Sequence, residues 1–216
     1  MMNPIANARF RKIAEIIQSK FADSGVKRSG SDDFVYRWQH TLRVSQYGQK
    51  LAIAEGANQE LCITACLLHD LAKFELMDYG IEHGRVGARL ARPLLQTLGY
   101  TPDEIENICF SIAVHVDDRA DFEHPITLES QIVNDADNID RFSAYRVLSN
   151  LDLNRQNYEG LIRNAEKRLF TLLKYRQESI MATPSGKALF NKQLDLQIMF
   201  MERLIAESKI TCLPEF

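Results

Sequence analysis

An almost wholly apolar run at residues 62–73 carries a histidine and an aspartate side by side, His69 and Asp70. Apolar residues on every side predict a buried helix, and a buried carboxylate is costly unless a positive group satisfies it. Lys73, one helical turn away, could be that group, although a lysine can equally extend to solvent. A polar pair hydrogen-bonded within the core is the ordinary alternative. We interpret the pair as candidate metal ligands.

The composition favours one well-buried domain. The chain has 216 residues, of which 45% are hydrophobic, and we predict a single domain over residues 1–216. Its net charge of -3 leaves no basic excess for a polynucleotide. No run approaches the length of a membrane span, and the four cysteines lie mostly in apolar helical context, as reduced core residues do. We therefore expect a cytoplasmic protein that binds neither polynucleotide nor membrane.

Helical spacing of apolar residues runs through the chain without any β-strand alternation, so the predicted fold class is all-α. Thr101 and Glu104 have the spacing of a capping box at a helix start, and Gly56 is predicted to end the helix that precedes it. The predicted helices cover about residues 4–21, 32–56, 58–74, 83–95, 101–115 and 127–140. Residues 151–210 are predicted to add two or three covering helices, broken near Thr183–Gly186.

The polar side chains that five of these segments carry inward form a candidate metal set. Its members are His40, His69, Asp70, His83, His115 and Asp137. Each histidine alone could be a half-buried or capping residue, but together they leave only His124 of the chain's five histidines outside the set. Imidazole and carboxylate donors without thiolate suit Mn, Fe, Zn or Mg. Cys62 and Cys66 precede His69 but lack a second pair of soft ligands, so we predict them to be core residues.

The order of these residues resembles the signature of the HD-domain metal-dependent phosphohydrolases: a histidine, a His-Asp pair and a final aspartate. Four segments carry the resemblance over about residues 33–150: Arg37–Val44, Ala65–Lys73, Glu82–Ala88 and Asp135–Asp140. The resemblance implies an HD-domain helical bundle with additional C-terminal helices. It also implies Asp137 as the final ligand, with Asp135 and Asp140 supporting the site or facing the substrate.

Two further histidines, His83 and His115, indicate which kind of HD centre the resemblance implies. Members with only the four signature residues hold one metal ion, and members with two more histidines between the pair and the last aspartate hold two. In the implied centre Asp70 bridges the two ions. One ion is also bound by His40, His69 and Asp137, and the other by His83 and His115. A water between the ions would be the nucleophile.

The resemblance therefore implies a hydrolase that acts on a small phosphate ester or nucleotide through a metal-bound water, with two divalent ions, Mn or Fe, or else Zn or Mg. Three cations are predicted to bind the phosphoryl oxygens: Lys73, Arg43 and Arg85. Lys73 is also predicted to take part in catalysis, because it follows His69 by four residues on one helical face. Each of the three cations could equally be a solvated surface residue. Two other functions fit the same ligands. One is a mixed-valent di-iron oxygenase such as myo-inositol oxygenase, and the other is a non-catalytic regulatory HD module.

Overall fold

The computed structural model describes residues 4–22, 34–75, 78–151 and 157–210, and within these ranges every regular element is a helix. The predicted all-α fold class is therefore confirmed. None of the described helices combines the length and the apolar character that crossing a bilayer requires. Two 3₁₀ helices, Leu71–Phe74 and Gly80–Glu82, accompany nine α-helices in the described ranges: α1 Pro4–Ala22, α2 Phe34–Glu55, α3 Gln59–Leu68, α4 His83–Thr97, α5 Pro102–Val114, α6 Leu128–Arg141, α7 Ala144–Leu151, α8 Tyr158–Gln177 and α9 Pro184–Ser208.

The chain divides into two compact units, Met1–Asp140 and Arg141–Phe216. The first unit contains all six residues of the predicted metal set. In the second unit the ring of Phe142 packs edge to face against those of Tyr175 and Phe190, and Gln197 donates a hydrogen bond to the Phe142 carbonyl. That the whole chain forms one domain stays a prediction.

Local sequence signals place several helix ends where they were predicted. Thr101 caps α5 in a capping box with Glu104, α2 ends directly before Gly56, and Thr183 caps α9. These ends follow from hydrogen bonds between near neighbours, so the sequence alone is enough to predict them. The predicted start of α2 at residue 32 and the fourth cysteine, Cys212, lie outside the described residues.

The central helix is shorter than predicted. It ends at Leu68, and the chain passes through His69 and Asp70 into the 3₁₀ helix Leu71–Phe74 instead of continuing as an α-helix. Asp70 has φ -98° and ψ 18°, between the α and β regions. Adjacent residues of a regular α-helix point about 100° apart, so leaving that geometry lets both side chains of the pair reach one site.

Two glycines allow the helices that carry the candidate ligands to pack closely. A Cβ atom on Gly48 of α2 would lie 2.5 Å from the Sγ atom of Cys66 on α3, and one on Gly84 of α4 would lie 2.6 Å from the Ala113 carbonyl oxygen of α5. A side chain at Gly84 would meet backbone that cannot turn aside, and one at Gly48 would force the Cys66 thiol to shift. The first approach brings together the helices of His40 and His69, and the second those of His83 and His115.

Gly84→Ala is expected to destabilise the protein by about 1–3 kcal/mol, although Gly→Ala within a helix usually stabilises. The added methyl group would meet backbone atoms of α5, which cannot move without shifting the helix. Gly87→Ala, one turn later on the same helix, is the matched control because its nearest neighbour would be a side-chain methyl of Ile112 at 3.3 Å. Thermal and denaturant unfolding of both variants measures the difference, and equal stabilities would contradict the tight α4–α5 contact.

Candidate metal centre

The structure brings the six predicted ligands together into one group, which we call the His–Asp cluster: His40, His69, Asp70, His83, His115 and Asp137. All are buried except His83, which is half-buried at the start of α4. They come from α2, the end of α3, the start of α4, the end of α5, and α6. Two overlapping triplets have ligand atoms close enough together to hold a metal ion. They are His40–His69–Asp137 and His69–Asp70–His115.

One half of the cluster consists of His40, His69 and Asp137. The Nε2 atom of His40 lies 3.2 Å from Nε2 of His69 and 3.3 Å from Oδ1 of Asp137, and Nε2 of His69 lies 3.8 Å from the same Asp137 oxygen. Ligand atoms around an ion bonded at about 2.0–2.2 Å lie roughly 3–3.5 Å apart. These three side chains therefore present their donor atoms at separations close to those of a metal site.

Asp70 lies between the two halves of the cluster, the second half being His83 and His115, and one of its carboxylate oxygens faces each half. Its Oδ2 atom lies 3.6 Å from Nε2 of both His40 and His69. Its Oδ1 atom lies 3.3 Å from Nε2 of His83 and 4.0 Å from Nε2 of His115. A carboxylate placed in this way is able to bridge two cations, one on each oxygen.

Backbone carbonyls orient three of the histidines. The Nδ1 atoms of His69, His83 and His115 lie 2.7, 2.6 and 2.7 Å from the carbonyl oxygens of the residues three positions earlier: Cys66, Gly80 and Ile112. Because a carbonyl only accepts, Nδ1 carries the proton of each neutral ring. The Nε2 lone pair of each ring is then available to a metal ion and points into the cluster.

A side-chain pair orients the fourth histidine. Nδ1 of His40 lies 2.7 Å from Oδ2 of the fully buried Asp140, and Arg43 donates two hydrogen bonds to the same carboxylate at 2.6 and 3.1 Å. Carboxylates commonly support metal-binding histidines in this way. Asp140 thus has the supporting position that the resemblance implied as one alternative. Asp135 is also buried.

The cluster's charges shift the pKa values of its members in opposite directions. Burial lowers the pKa of His115 to about 4, and it also lowers the pKa of His69. Burial would lower that of His40 too, but hydrogen bonds with Asp137 and Asp140 raise its pKa to about 9. The pKa of Asp70 falls well below its ordinary value because neighbouring positive groups outweigh its burial. At neutral pH the buried carboxylate of Asp70 is thus ionised and able to bind a cation.

Metal binding is expected to release a proton from His40. Below about pH 9 this ring is charged in the metal-free protein, and a ligand nitrogen has to be deprotonated, so apparent affinity should rise about tenfold per pH unit up to that value. Calorimetry at pH 7 in buffers of different ionisation enthalpy counts the protons released. Asp140→Asn removes one of the carboxylates that raise the pKa of His40, so metal binding to this variant should release fewer protons. A binding heat that does not depend on the buffer would contradict this expectation.

Arg37 is a neighbour of the cluster to which the sequence interpretation assigned no role. Its Nη1 atom donates to Oδ2 of Asp70 at 2.7 Å, and its side chain is only 13% exposed. It precedes His40 by three residues on α2, and that spacing places the two side chains on one helix face. The spacing is a sequence signal, but it indicates a role only once Asp70 is known to lie against the same face.

The three predicted phosphate-binding cations lie in different surroundings. Arg43 pairs with Asp140, as described above. Arg85 is buried and donates to Glu82 and Asp117. Lys73 lies on the 3₁₀ helix with its Nζ atom 3.9 Å from Oδ1 of Asp78. Because α3 ends at Leu68, Lys73 does not share a continuous helix face with His69, and that step of the prediction was wrong.

Cysteines take no part in the two metal-binding triplets found among the described residues. Cys62, Cys66 and Cys109 are buried with free thiols, and burial raises the pKa of Cys109 to about 11. Neutral buried thiols behave as small apolar side chains. The prediction of Cys62 and Cys66 as core residues is confirmed, and the donors of the cluster are nitrogen and oxygen only, which suits Mn, Fe, Zn or Mg.

Residues 37–141 match the family model described as the HD domain, and this range includes all six residues of the cluster. No curated protein matches the sequence significantly. Among solved structures, a predicted HD superfamily hydrolase from an uncultured Thermotogales bacterium is 23% identical over 92% of both chains, with a TM-score of 0.64.

Two solved structures from Bacillus species have similar folds. An HD-superfamily hydrolase from Bacillus thuringiensis is 18% identical, over 95% of this chain and 100% of that chain, with a TM-score of 0.64. Bacillus subtilis YpgQ, solved in complex with ADP, is 18% identical over 94% of this chain and 96% of that chain, with a TM-score of 0.66. At these identities the likeness shows the fold alone.

Proposed function

Because this chain is an HD-domain protein, we propose that it is a metal-dependent phosphohydrolase that acts on a small phosphate ester or nucleotide. The observation that carries the proposal is the position of Asp70, whose two oxygens face His40 and His69 on one side and His83 and His115 on the other. This arrangement supports a centre of two divalent ions, with Mn or Fe as first candidates and Zn or Mg as alternatives.

The chain's own residues would hold and orient this centre. Divalent ions bound there would lower the pKa of a coordinated water and offset the charge of the phosphoryl oxygens. Asp140 and Arg43 fix the ring of His40, and the backbone carbonyls fix the other three rings. Arg37 adds a permanent positive charge beside Asp70, in reach of the cluster. A guanidinium in this place suits a phosphoryl oxygen, because it binds oxyanions through paired N–H groups.

Two observations support a small substrate, and a nucleotide in particular. The net charge of -3 offers no basic surface excess for a polynucleotide, so recognition has to come from the site itself. One protein of similar fold, YpgQ, has been solved in complex with ADP. We extend that ligand class to this chain as part of the proposal. The buried free thiols of Cys62, Cys66 and Cys109 fit the predicted cytoplasmic location.

Elemental analysis followed by a substrate screen tests the proposed function. Protein reconstituted with Mn or Fe is expected to bind close to two ions and to hydrolyse nucleotides, phosphorylated small molecules or chromogenic phosphate esters. Hydrolysis of none of these, together with oxygen consumption on a polyol, would replace the phosphohydrolase by the di-iron oxygenase. Failure to bind any metal after reconstitution would favour a non-catalytic module.

Lys73→Met is expected to raise KM or lower kcat by about 3- to 10-fold without releasing metal, since this side chain is proposed to bind phosphate and is not a ligand. Lys50→Met is the matched control, because Lys50 is exposed ten residues beyond His40 on α2. Steady-state kinetics and metal content of both variants check the expectation. Identical kinetics for Lys73→Met and the wild type would remove Lys73 from the proposed substrate site.

A further inference from the structure

His83 and His115 lie where the start of α4 meets the end of α5. The centroids of their rings are 5.1 Å apart, His83 is the first residue of α4, and His115 follows the last residue of α5. The contact at Gly84 fixes the two backbones close together. Neither histidine lies in the middle of a helix, so the position of each depends on how the neighbouring turn is held.

Arg85 joins the two turns that carry these histidines. Its Nε and Nη2 atoms donate to the two carboxylate oxygens of Glu82 at 2.8 and 2.5 Å, and its Nη1 atom donates to both oxygens of Asp117 at 2.8 and 3.1 Å. Glu82 directly precedes His83, and Asp117 is two residues beyond His115. One rigid, planar group therefore connects the chain on either side of the histidine pair.

We propose that Arg85 is a positioning residue that holds His83 and His115 in register for the second metal ion. This inference rests on the proposed two-ion centre. All three nitrogen positions of the guanidinium are engaged by carboxylates, and the residue is only 7% exposed, so a contact with phosphate would require breaking this network. The role differs from the phosphate contact that the sequence predicts for Arg85.

Arg92 provides a matched control on the same helix. It also joins α4 to α5, through hydrogen bonds to both carboxylate oxygens of Glu106, and its guanidinium lies 5.5 Å from the ring centroid of Phe122. The pair lies two turns away from the histidines along α4. Loss of Arg92 therefore removes the same charge and a similar link between the two helices, without touching the turns that carry His83 and His115.

Titration of metal-free protein with Mn²⁺ by calorimetry tests the proposal. The wild type is expected to bind two ions. Arg85→Met should leave the affinity for the first ion unchanged and weaken the second by about 10- to 100-fold, the usual effect of removing a group that orients metal ligands. Arg92→Met should leave both affinities unchanged, even if it lowers the Tm as much as Arg85→Met does. Arg85→Lys keeps the charge but lacks the planar group that donates to Glu82 and Asp117 together. It should recover only part of the affinity for the second ion.

Unchanged binding of both ions by Arg85→Met would overturn the inference while leaving the two-ion centre intact. An equal loss of affinity for both ions would also overturn it, because it would indicate a general structural role. A wild type that binds only one ion would refute the two-ion centre, and this inference with it. If Arg85→Met does not fold, Asp117→Asn is the substitute, because it weakens the hydrogen bonds between Arg85 and residue 117. This variant is expected to lower the affinity for the second ion alone. Unchanged second-ion affinity in that variant would overturn the inference.

Discussion

Asp70→Ala is expected to prevent binding of both proposed metal ions and to lower the proposed phosphatase activity by about 1000-fold or more. The two oxygens of Asp70 face different histidines, with Oδ2 near His40 and His69 and Oδ1 near His83 and His115. Its loss deprives both proposed ions of a charged ligand at once. Elemental analysis of the purified variant and assays on nucleotides and chromogenic phosphate esters measure the two effects.

Two companion variants separate the loss of a ligand from a loss of folding. The alanine variant leaves Arg37 without its carboxylate partner, and breaking a buried ion pair from one side costs about 3–5 kcal/mol. Asp70→Asn keeps the shape and an oxygen for Arg37 but removes the charge, so it should fold better and still bind metal poorly. Asp103→Asn changes an exposed carboxylate of α5 and should behave as the wild type. Metal and turnover retained in Asp70→Ala would remove Asp70 from the proposed centre.

His83→Ala and His115→Ala are each expected to reduce the bound metal from two ions to one and to lower activity by about 100-fold. Both rings face the Oδ1 atom of Asp70, and neither belongs to the triplet His40–His69–Asp137 that is proposed to hold the first ion. The first ion should therefore stay bound. Metal-to-protein stoichiometry and kcat measure the outcome.

His124 is the control for these two variants, because it is the one histidine outside the cluster and its ring lies 4.9 Å from that of Phe110. His124→Ala should keep the metal content and the kinetics of the wild type. The Tm of His115→Ala should be measured as well, since His115 is buried and its truncation leaves a cavity. If both variants kept two ions and full activity, His83 and His115 would be structural residues and the two-ion centre would be refuted.

The sequence was informative wherever a residue conflicted with its local pattern. Histidine and aspartate are costly inside apolar helical runs, so His69 and Asp70 stood out, and the other four members of the cluster followed from the same reasoning and from the HD resemblance. Helix ends at Thr101 and Thr183 depend on hydrogen bonds between near neighbours, and these too were predictable. The all-α class followed from the spacing of apolar residues.

The sequence was less informative about the cations, because a cation's role depends on which carboxylates the fold brings near it. Arg37 faces Asp70 across 33 positions of sequence, Arg43 faces Asp140 across 97, and Arg85 faces Asp117 across 32. An arginine side chain is long and carries the same charge in every setting, so its local pattern does not distinguish a ligand-orienting residue from a solvated one.

The helical class and the chemistry of the candidate site were thus readable from the sequence, since both depend on local periodicity and on the cost of burying polar groups. The arrangement of that chemistry in space depends instead on how the helices pack. The end of α3 at Leu68 and the opposite directions of the two Asp70 oxygens depend on contacts between helices that are distant in sequence. Such contacts form through close packing, at Gly48 and Gly84 for example, and the space available there is a property of both helices together.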